Sequence, residues 1–310
     1  MDKSITYSES IIEAMEINSL LKEYLDYLEI EKNRSPKTRE NYERHLRHFF
    51  EKAGIRKLSD LSEEKIRDFR LKLSREEKLK KNSQAYYVIV IRNFLKYLAK
   101  RNVESVSAER IELPKVPQRQ IQILEYADLE RLLAAPKGQD LKILRDRAIL
   151  ETLFSTGLRV SELCALNKGL NLDRGEFTVR GKGEKLRVVF LSDRAKKMLK
   201  EYLAKRSDTE PALFASFGAG KNPKILGRIL PRTVERLIDF YARSAGIPRK
   251  VTPHHLRHQF ATDLLLNGAD LRSVQELLGH SSISTTQVYT HLTNKELREV
   301  HQAFHGRRRK

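Results

Sequence analysis

A tyrosine near the carboxyl end of the chain lies in an unusual setting. The stretch LGHSSISTTQVYTHL, residues 278–292, places His280 and Tyr289 among Ser and Thr side chains. Gly279 stands where a helix would end, and the Ser and Thr residues after it can cap a new helix that carries Tyr289. A core aromatic is the ordinary interpretation of such a tyrosine. Because a phenol has a pKa of about 10, Tyr289 would act as a nucleophile only where cations surround it and favour the phenolate.

A first candidate cation is Arg159 in STGLRVSEL, residues 155–163, with Glu162 three residues later. A guanidinium binds phosphate with two parallel hydrogen bonds and keeps its proton, so it suits a transition state with charge on non-bridging oxygens. The alternative is an ordinary Arg/Glu pair within a helix, which contributes only a few tenths of a kcal/mol.

The stretch HHLRHQFATDLL, residues 254–265, concentrates further candidates. His254 and Arg257 are three residues apart and share a helix face, which suits a proton carrier beside an arginine that holds phosphate. His254 and His258 could instead bind zinc, but residue 255 is His where a metalloprotease needs Glu. We expect His255 and His258 to be structural.

A lysine falls at the tip of a predicted β-hairpin. Lys182 in RGKGEK lies between two glycines, where a mobile ammonium could reach a leaving oxygen and protonate it. A solvated turn lysine is the more common case, and Lys185 is a close competitor for the same role.

The charge of the chain indicates a polyanionic partner. Lys and Arg number 60 against 41 Asp and Glu, a formal net charge of +19, and the basic residues are spread along all 310 residues. Nucleic acid is the first expectation, and a basic protein without such a partner is the alternative. An anionic membrane surface is disfavoured because the chain has no Trp and no basic helix with aromatic anchors.

Several other classes are disfavoured by what the sequence lacks. Cys164 is the single cysteine, which excludes disulfides within the chain and a cysteine-based zinc site, and fits a reducing cytoplasm. Neither a signal peptide nor an apolar stretch of about 18 residues is present. No GxxxxGK[ST] phosphate loop occurs, and no tight Asp/Glu cluster lies beside the stretches richest in Arg and His. We therefore expect catalysis by side chains alone, without metal or cofactor.

The elements that must position these residues fall into two predicted domains. Residues 17–103 show helical periodicity throughout, with Ser35 and Ser62 as helix caps, and predict an all-helical bundle. Residues 104–120 lose the periodicity and contain two prolines, which predicts a linker. Residues 121–310 predict a mixed domain, in which EFTVR and LRVVFL form a short antiparallel hairpin and everything after the hairpin is helical.

Taken together, TGLRVSEL, RGKGEK, PHHLRHQFAT and LGHSSISTTQVYTH, in this order, resemble the tyrosine recombinase (phage integrase) family. The length and the ending VYTHLTNKELREVHQAFH are most similar to the Xer recombinases, and the resemblance covers roughly residues 17–305. It implies a mainly α fold with a small antiparallel sheet, in which a SAM-like core-binding bundle precedes a mixed α+β catalytic domain. Three features depart from the family pattern: the second strand lacks a Pro, the stretch NKGLNLDRG before the hairpin is irregular, and Gln259 stands where Ser or Thr is usual.

The resemblance also implies a role for each candidate residue. The catalytic set would be Arg159, Lys182, His254, Arg257, His280 and the nucleophile Tyr289, with Glu162 in support. Tyr289 would form a 3′-phosphotyrosyl link, and a hydroxyl of the partner strand would then attack it.

The same resemblance implies partners and a setting. They are double-stranded DNA with a specific site, a tetramer of this chain alone or with a second recombinase, and a DNA translocase, with no membrane. The setting would be the nucleoid within the cytoplasm, in chromosome or plasmid dimer resolution or element integration. A type IB topoisomerase-like enzyme and a non-catalytic DNA-binding accessory protein are the alternatives.

Overall fold

Two compact units make up the chain, residues 1–118 and residues 119–310. The computed structural model describes residues 16–114, 123–181, 186–218, 220 and 224–279. Within those ranges, no helix combines the length and the apolar character that crossing a membrane requires.

The first unit is helical in its described part, as the periodicity predicts. Its elements are α1 (Ile17–Ile30), α2 (Pro36–Ala53), α3 (Glu63–Arg75) and α4 (Lys81–Lys100), with 3-10 turns at Leu58–Asp60 and Ala108–Arg110. The hydroxyl of Ser35 accepts a hydrogen bond from the Thr38 amide at 3.3 Å, and that of Ser62 accepts one from the Lys65 amide at 3.2 Å. Both predicted caps are therefore confirmed.

The core of this unit is rich in aromatic side chains. Tyr24 and Phe94 pack edge to face with ring centroids 5.3 Å apart, a favoured arrangement of aromatic pairs. Ala108 and Ile111, which lie within the predicted linker, are buried in the same core. The chain therefore packs on the bundle beyond residue 103, while the domain boundaries themselves stay a prediction.

The second unit is built around one central helix. Its described elements are α5 (Tyr126–Ala134), α6 (Leu141–Thr156), α7 (Val160–Ala165), β1 (Glu176–Arg180), β2 (Leu186–Phe190), α8 (Asp193–Ala204), β3 (Ala215–Phe217), β4 (Ile225–Arg228), α9 (Pro231–Ser244), α10 (Pro253–Leu266) and α11 (Leu271–Leu278). The α6 helix contacts α5, α7, α8, α9, α10 and β2, so it is buried on most of its circumference. It ends at Thr156 and is capped by Gly157, which begins the segment that carries Arg159.

Two small antiparallel sheets accompany these helices. Strands β1 and β2 form the predicted hairpin, with Val179 opposite Arg187 and Thr178 opposite Val188. Because side chains alternate along a strand, Arg187 lies on the face opposite to the exposed Leu186 and Val188.

The second sheet corrects the expectation that everything after the hairpin is helical. Strands β3 and β4 pair with an irregular register at Ser216 and Phe217. They are three and four residues long, too short to show alternation in the sequence. A tertiary contact fixes β3, since the buried Arg145 of α6 donates to the Ala215 carbonyl at 2.8 Å and lies over the Phe217 ring.

Candidate active site

Arg159 stands at the amino end of the short helix α7. Its backbone amide donates to Oε2 of Glu162 at 2.8 Å, and its Nη1 donates to Oε1 of the same carboxylate at 2.9 Å. Glu162 thus caps the helix through the backbone and orients the guanidinium at once. The local Arg/Glu pair considered from the sequence is present, but the carboxylate is buried, with a side chain 5% exposed.

A second arginine shares this carboxylate. Arg187 of β2 donates from Nη1 to Oε1 of Glu162 at 2.9 Å and from Nη2 to Oε2 at 2.7 Å. The side chain of Arg187 is 8% exposed, so this is a buried two-point ion pair. Sequence reasoning missed this residue.

The protonation of Glu162 follows from these contacts. Burial alone would raise the pKa of Glu162, but hydrogen bonds from Arg187 and from the backbone and side chain of Arg159 outweigh it and lower the pKa to about 2. The carboxylate is therefore charged at every physiological pH.

Helix α10 supplies the HxxR pair. Arg257 is buried and donates to the Gly157 carbonyl at 2.6 Å and to the Leu278 carbonyl at 2.7 Å. His254 lies in the first turn of the same helix and is exposed. His255 accepts a hydrogen bond from the Thr252 amide at its Nδ1, 3.1 Å away, and this contact at the helix start fits the structural role expected for it.

The end of α11 gathers all three arginines. The carbonyl of Leu277 accepts from Nε of Arg187 at 3.0 Å, and that of Leu278 accepts from Arg257. The carbonyl of Gly279 lies 3.4 Å from Nη2 of Arg159. Lone carbonyls at a helix end carry partial negative charge and attract cations. We call Arg159, Arg187, Arg257 and Glu162 the arginine cluster.

Gly279 ends α11 as the sequence predicts. Its φ of 63° lies in the left-handed region that favours glycine, and its amide donates back to the Glu276 carbonyl. A Cβ at this position would also meet Cδ of Arg187 at 3.0 Å. Gly279 therefore both ends the helix and leaves room for the Arg187 side chain beside it.

The structure thus brings together Arg159, Glu162 and Arg257 of the predicted set, with His254 on the same helix as Arg257. Lys182, its competitor Lys185, His280 and Tyr289 lie outside the described residues. Their roles stay predictions.

One departure from the family pattern has a structural explanation. Gln259 is buried on α10, and its Oε1 accepts a hydrogen bond from the Leu124 amide at 3.2 Å. A buried backbone donor needs such a partner, which the longer Gln side chain provides. Gln259 therefore connects the start of the second unit to the helix of the HxxR pair.

The arrangement can bind an oxyanion. The arginine cluster holds three guanidinium groups and one carboxylate, which pairs with Arg159 and Arg187, so the cluster keeps a surplus of positive charge beside a helix end. Arg159 is the most exposed of the three, with a side chain 28% exposed, and its Nη2 makes only the long contact with Gly279 among the described residues. A phosphate oxygen could replace that carbonyl as its partner.

Comparison with known proteins agrees with this geometry. The phage integrase family matches residues 122–296, which contain the whole arginine cluster, and the phage integrase N-terminal SAM-like domain matches residues 21–102. The chain belongs to the phage integrase family. This membership confirms the resemblance inferred from the motifs.

Relatives within the family match along nearly the whole chain. Tyrosine recombinase XerC from Myxococcus xanthus is 38% identical, and the match covers 94% of this chain and 99% of the relative. Tyrosine recombinase XerD from Listeria monocytogenes is also 38% identical, over 94% of this chain and 100% of the relative.

The fold has solved counterparts as well. A XerH site-specific recombinase bound to a palindromic difH substrate matches 91% of this chain and 83% of its own, with a TM-score of 0.66 at 24% identity. The predicted fold class, a helical SAM-like unit followed by a mixed catalytic unit, is therefore confirmed.

Proposed function

We propose that this protein is a site-specific DNA recombinase that cuts and rejoins strands through a 3′-phosphotyrosyl intermediate. The observation that carries the proposal is the arginine cluster, which gathers guanidinium groups at the helix end directly before His280. Family membership supports the same function, since the relatives matched over nearly their full length are tyrosine recombinases.

The proposed reaction consists of two transesterifications. The Tyr289 oxygen attacks a backbone phosphorus, and the 5′ oxygen leaves with a proton from Lys182. The 5′ hydroxyl of a partner strand then attacks the same phosphorus and releases the tyrosine. Arg159, Arg257 and His280 hold the non-bridging oxygens, and His254 assists proton transfer at the tyrosine.

We further propose that the reaction needs neither metal nor ATP. The covalent intermediate retains the energy of the phosphodiester, because one ester bond forms as another breaks in each step. Arg159 and Arg257 would neutralise the phosphate charge that a metal neutralises in other phosphoryl transfers.

The proposed partner is double-stranded DNA with a specific recombination site. The net charge of +19 supports a polyanionic ligand, and the XerH counterpart is bound to such a substrate. In this proposal residues 17–103 bind DNA as the core-binding domain, residues 104–120 connect the two domains, and residues 121–310 are catalytic.

We propose a tetramer on two duplexes, formed by this chain alone or with a second recombinase. Residues 290–310 of one copy would dock on its neighbour. An apolar groove of about 370 Å³ beside α11 supports this, since Phe154, Phe260 and Leu277 are among the residues that line it. A chain ending at Thr293 should lose tetramers on DNA in gel filtration; unchanged assembly and cleavage would contradict the tail's role.

The biological setting is proposed on the same basis. Resolution of chromosome or plasmid dimers during cell division, or integration of a mobile element, would take place on the nucleoid in the cytoplasm. A DNA translocase would be a further partner in dimer resolution.

A supercoil relaxation assay separates this function from a type IB topoisomerase-like activity. A site-specific recombinase should relax plasmid only when its site is present and should exchange strands between two site-bearing duplexes. Relaxation of plasmid without any site, and no exchange, would favour the topoisomerase. DNA binding with neither activity would favour a non-catalytic accessory protein.

A further inference from the structure

We infer that Arg187 is a positioning residue for the recombination reaction, acting on Arg159 through Glu162 and on the end of α11 through the Leu277 carbonyl. The inference rests on the proposed function and adds a residue to its site. It follows from where the hydrogen bonds of Arg187 go.

All three nitrogens of the Arg187 guanidinium are engaged on the inner side of the hairpin. Nη1 and Nη2 donate to the two oxygens of Glu162, and Nε donates to the Leu277 carbonyl. The neighbours Leu186 and Val188 are exposed by 67% and 45%, so the other face of β2 is open. A buried arginine in so short a strand costs desolvation, which these contacts offset.

Arg187 keeps Glu162 from capturing Arg159. A buried carboxylate favours two-point pairing with a guanidinium, and here Arg187 provides it. Arg159 therefore gives Glu162 one side-chain hydrogen bond and directs Nη2 away from it, toward the Gly279 carbonyl. Without Arg187, the carboxylate would draw both nitrogens of Arg159 and take them from a phosphate.

Arg187 also fixes the helix end from which the chain continues to His280. Its bond to the Leu277 carbonyl and the bond of Arg257 to the Leu278 carbonyl hold two successive groups of the last turn. Because a misplacement of about 1 Å can cost about 10²-fold in rate, a shift at this helix end would bear directly on catalysis.

The test compares Arg187→Lys and Arg187→Gln with Arg206→Lys. Arg206 is a matched control because its side chain is 1% exposed, pairs with Asp208 and donates to the Ala212 and Leu213 carbonyls, away from the arginine cluster. Single-turnover cleavage of a nicked suicide duplex, at saturating protein, should slow about 10- to 100-fold in both Arg187 variants with DNA affinity unchanged. Arg206→Lys should cleave at the wild-type rate, whatever its thermal stability.

The dependence of the cleavage rate on pH provides a second test, because loss of a purely structural contact would leave that dependence unchanged. Arg159 and Arg187 are the charged side chains that hydrogen-bond Glu162 within the described residues, so Arg187→Gln should raise the pKa of that carboxyl. Relative to wild type, cleavage by this variant should then partly recover on the acid side, because a protonated Glu162 releases Arg159 to the phosphate. Arg187→Gln combined with Glu162→Gln should show no such recovery. Wild-type rate and profile in both Arg187 variants would overturn the inference, as would loss of rate only in proportion to unfolded protein.

A phosphate assay separates this inference from the proposed function. Inorganic phosphate, against chloride at equal ionic strength, should raise the melting temperature of wild type and Arg206→Lys but not of Arg187→Gln or Arg159→Ala. If wild type forms no DNA adduct but shows this pattern, the proposed function fails and the positioning role stands. Equal stabilisation of all four proteins would overturn the role of Arg187.

Discussion

Arg159 and Arg257 both present a guanidinium for a phosphate oxygen, but only Arg257 is buried. Removing either should slow cleavage, whereas removing Arg257 should also lower stability. Alanine at either position should slow single-turnover cleavage about 10²-fold or more, with little change in DNA affinity. Arg257→Ala should also lower the free energy of unfolding by about 1–3 kcal/mol, because the Gly157 and Leu278 carbonyls lose their buried donor. Urea unfolding measures that difference.

An exposed arginine provides the control for both variants. Arg131 pairs with Asp128 on the surface of α5, and Arg131→Ala should leave both cleavage and stability close to wild type. Cleavage by Arg159→Ala at the wild-type rate would show that Arg159 takes no part in the reaction.

Glu162 makes the stability of the second unit sensitive to acid. Its pKa is about 2 in the folded protein against a usual 4.5, because the hydrogen bonds from Arg187 and Arg159 outweigh burial. A depressed pKa stabilises the fold above pH 4.5, by about 3 kcal/mol, and this contribution is lost as the pH falls toward 2.

Urea unfolding of wild type and Glu162→Gln between these pH values tests this prediction. Wild type should lose stability across the window, and the variant should start lower and change less. If the free energy of unfolding fell equally with pH in the two proteins, Glu162 would not be the source of the acid sensitivity.

Among the elements, the turn between α6 and α7 depends on a glycine. Gly157 has a φ of 59°, and a Cβ there would meet Cδ1 of Phe260 at 2.4 Å. Gly54 in the first unit has a φ of 62° with nothing within 4 Å of such a Cβ, which makes it a matched control. Gly54→Ala should cost only the backbone strain of about 1–2 kcal/mol, and Gly157→Ala about 1–3 kcal/mol more.

Urea unfolding of each variant measures these costs. Gly157→Ala should also slow cleavage, because Arg159 follows two residues later and Arg257 binds the Gly157 carbonyl. Equal costs at the two glycines would contradict the collision with Phe260.

The elements that the sequence predicts are those with local signals. Ser35, Ser62 and Gly279 mark helix ends through contacts within a few residues, and the hairpin shows in its alternation. Arg187 could not be predicted in this way, because its partner Glu162 lies 25 residues earlier and its burial depends on the docking of β2 against α11. A charged residue at an inward position of an otherwise apolar strand was the available signal. Strand β3 likewise depends on Arg145, which lies 70 residues before Ala215.

For the whole molecule, the excess of 19 positive charges governs DNA binding. Each phosphate neutralised releases condensed counterions, so the logarithm of the binding constant should fall against the logarithm of salt concentration with a slope of about 0.9 per phosphate. Binding titrations at several salt concentrations give this slope. A salt-independent affinity would contradict a phosphate-based interface.

The most direct test of the central claim is covalent capture of the protein on DNA. Wild type, incubated with nicked suicide duplexes that carry candidate sites, should form a protein–DNA adduct visible on a denaturing gel. Tyr289→Phe should form none, since it lacks the phenolic oxygen but keeps the ring. Abundant adduct from Tyr289→Phe would contradict the assignment of Tyr289 as the nucleophile.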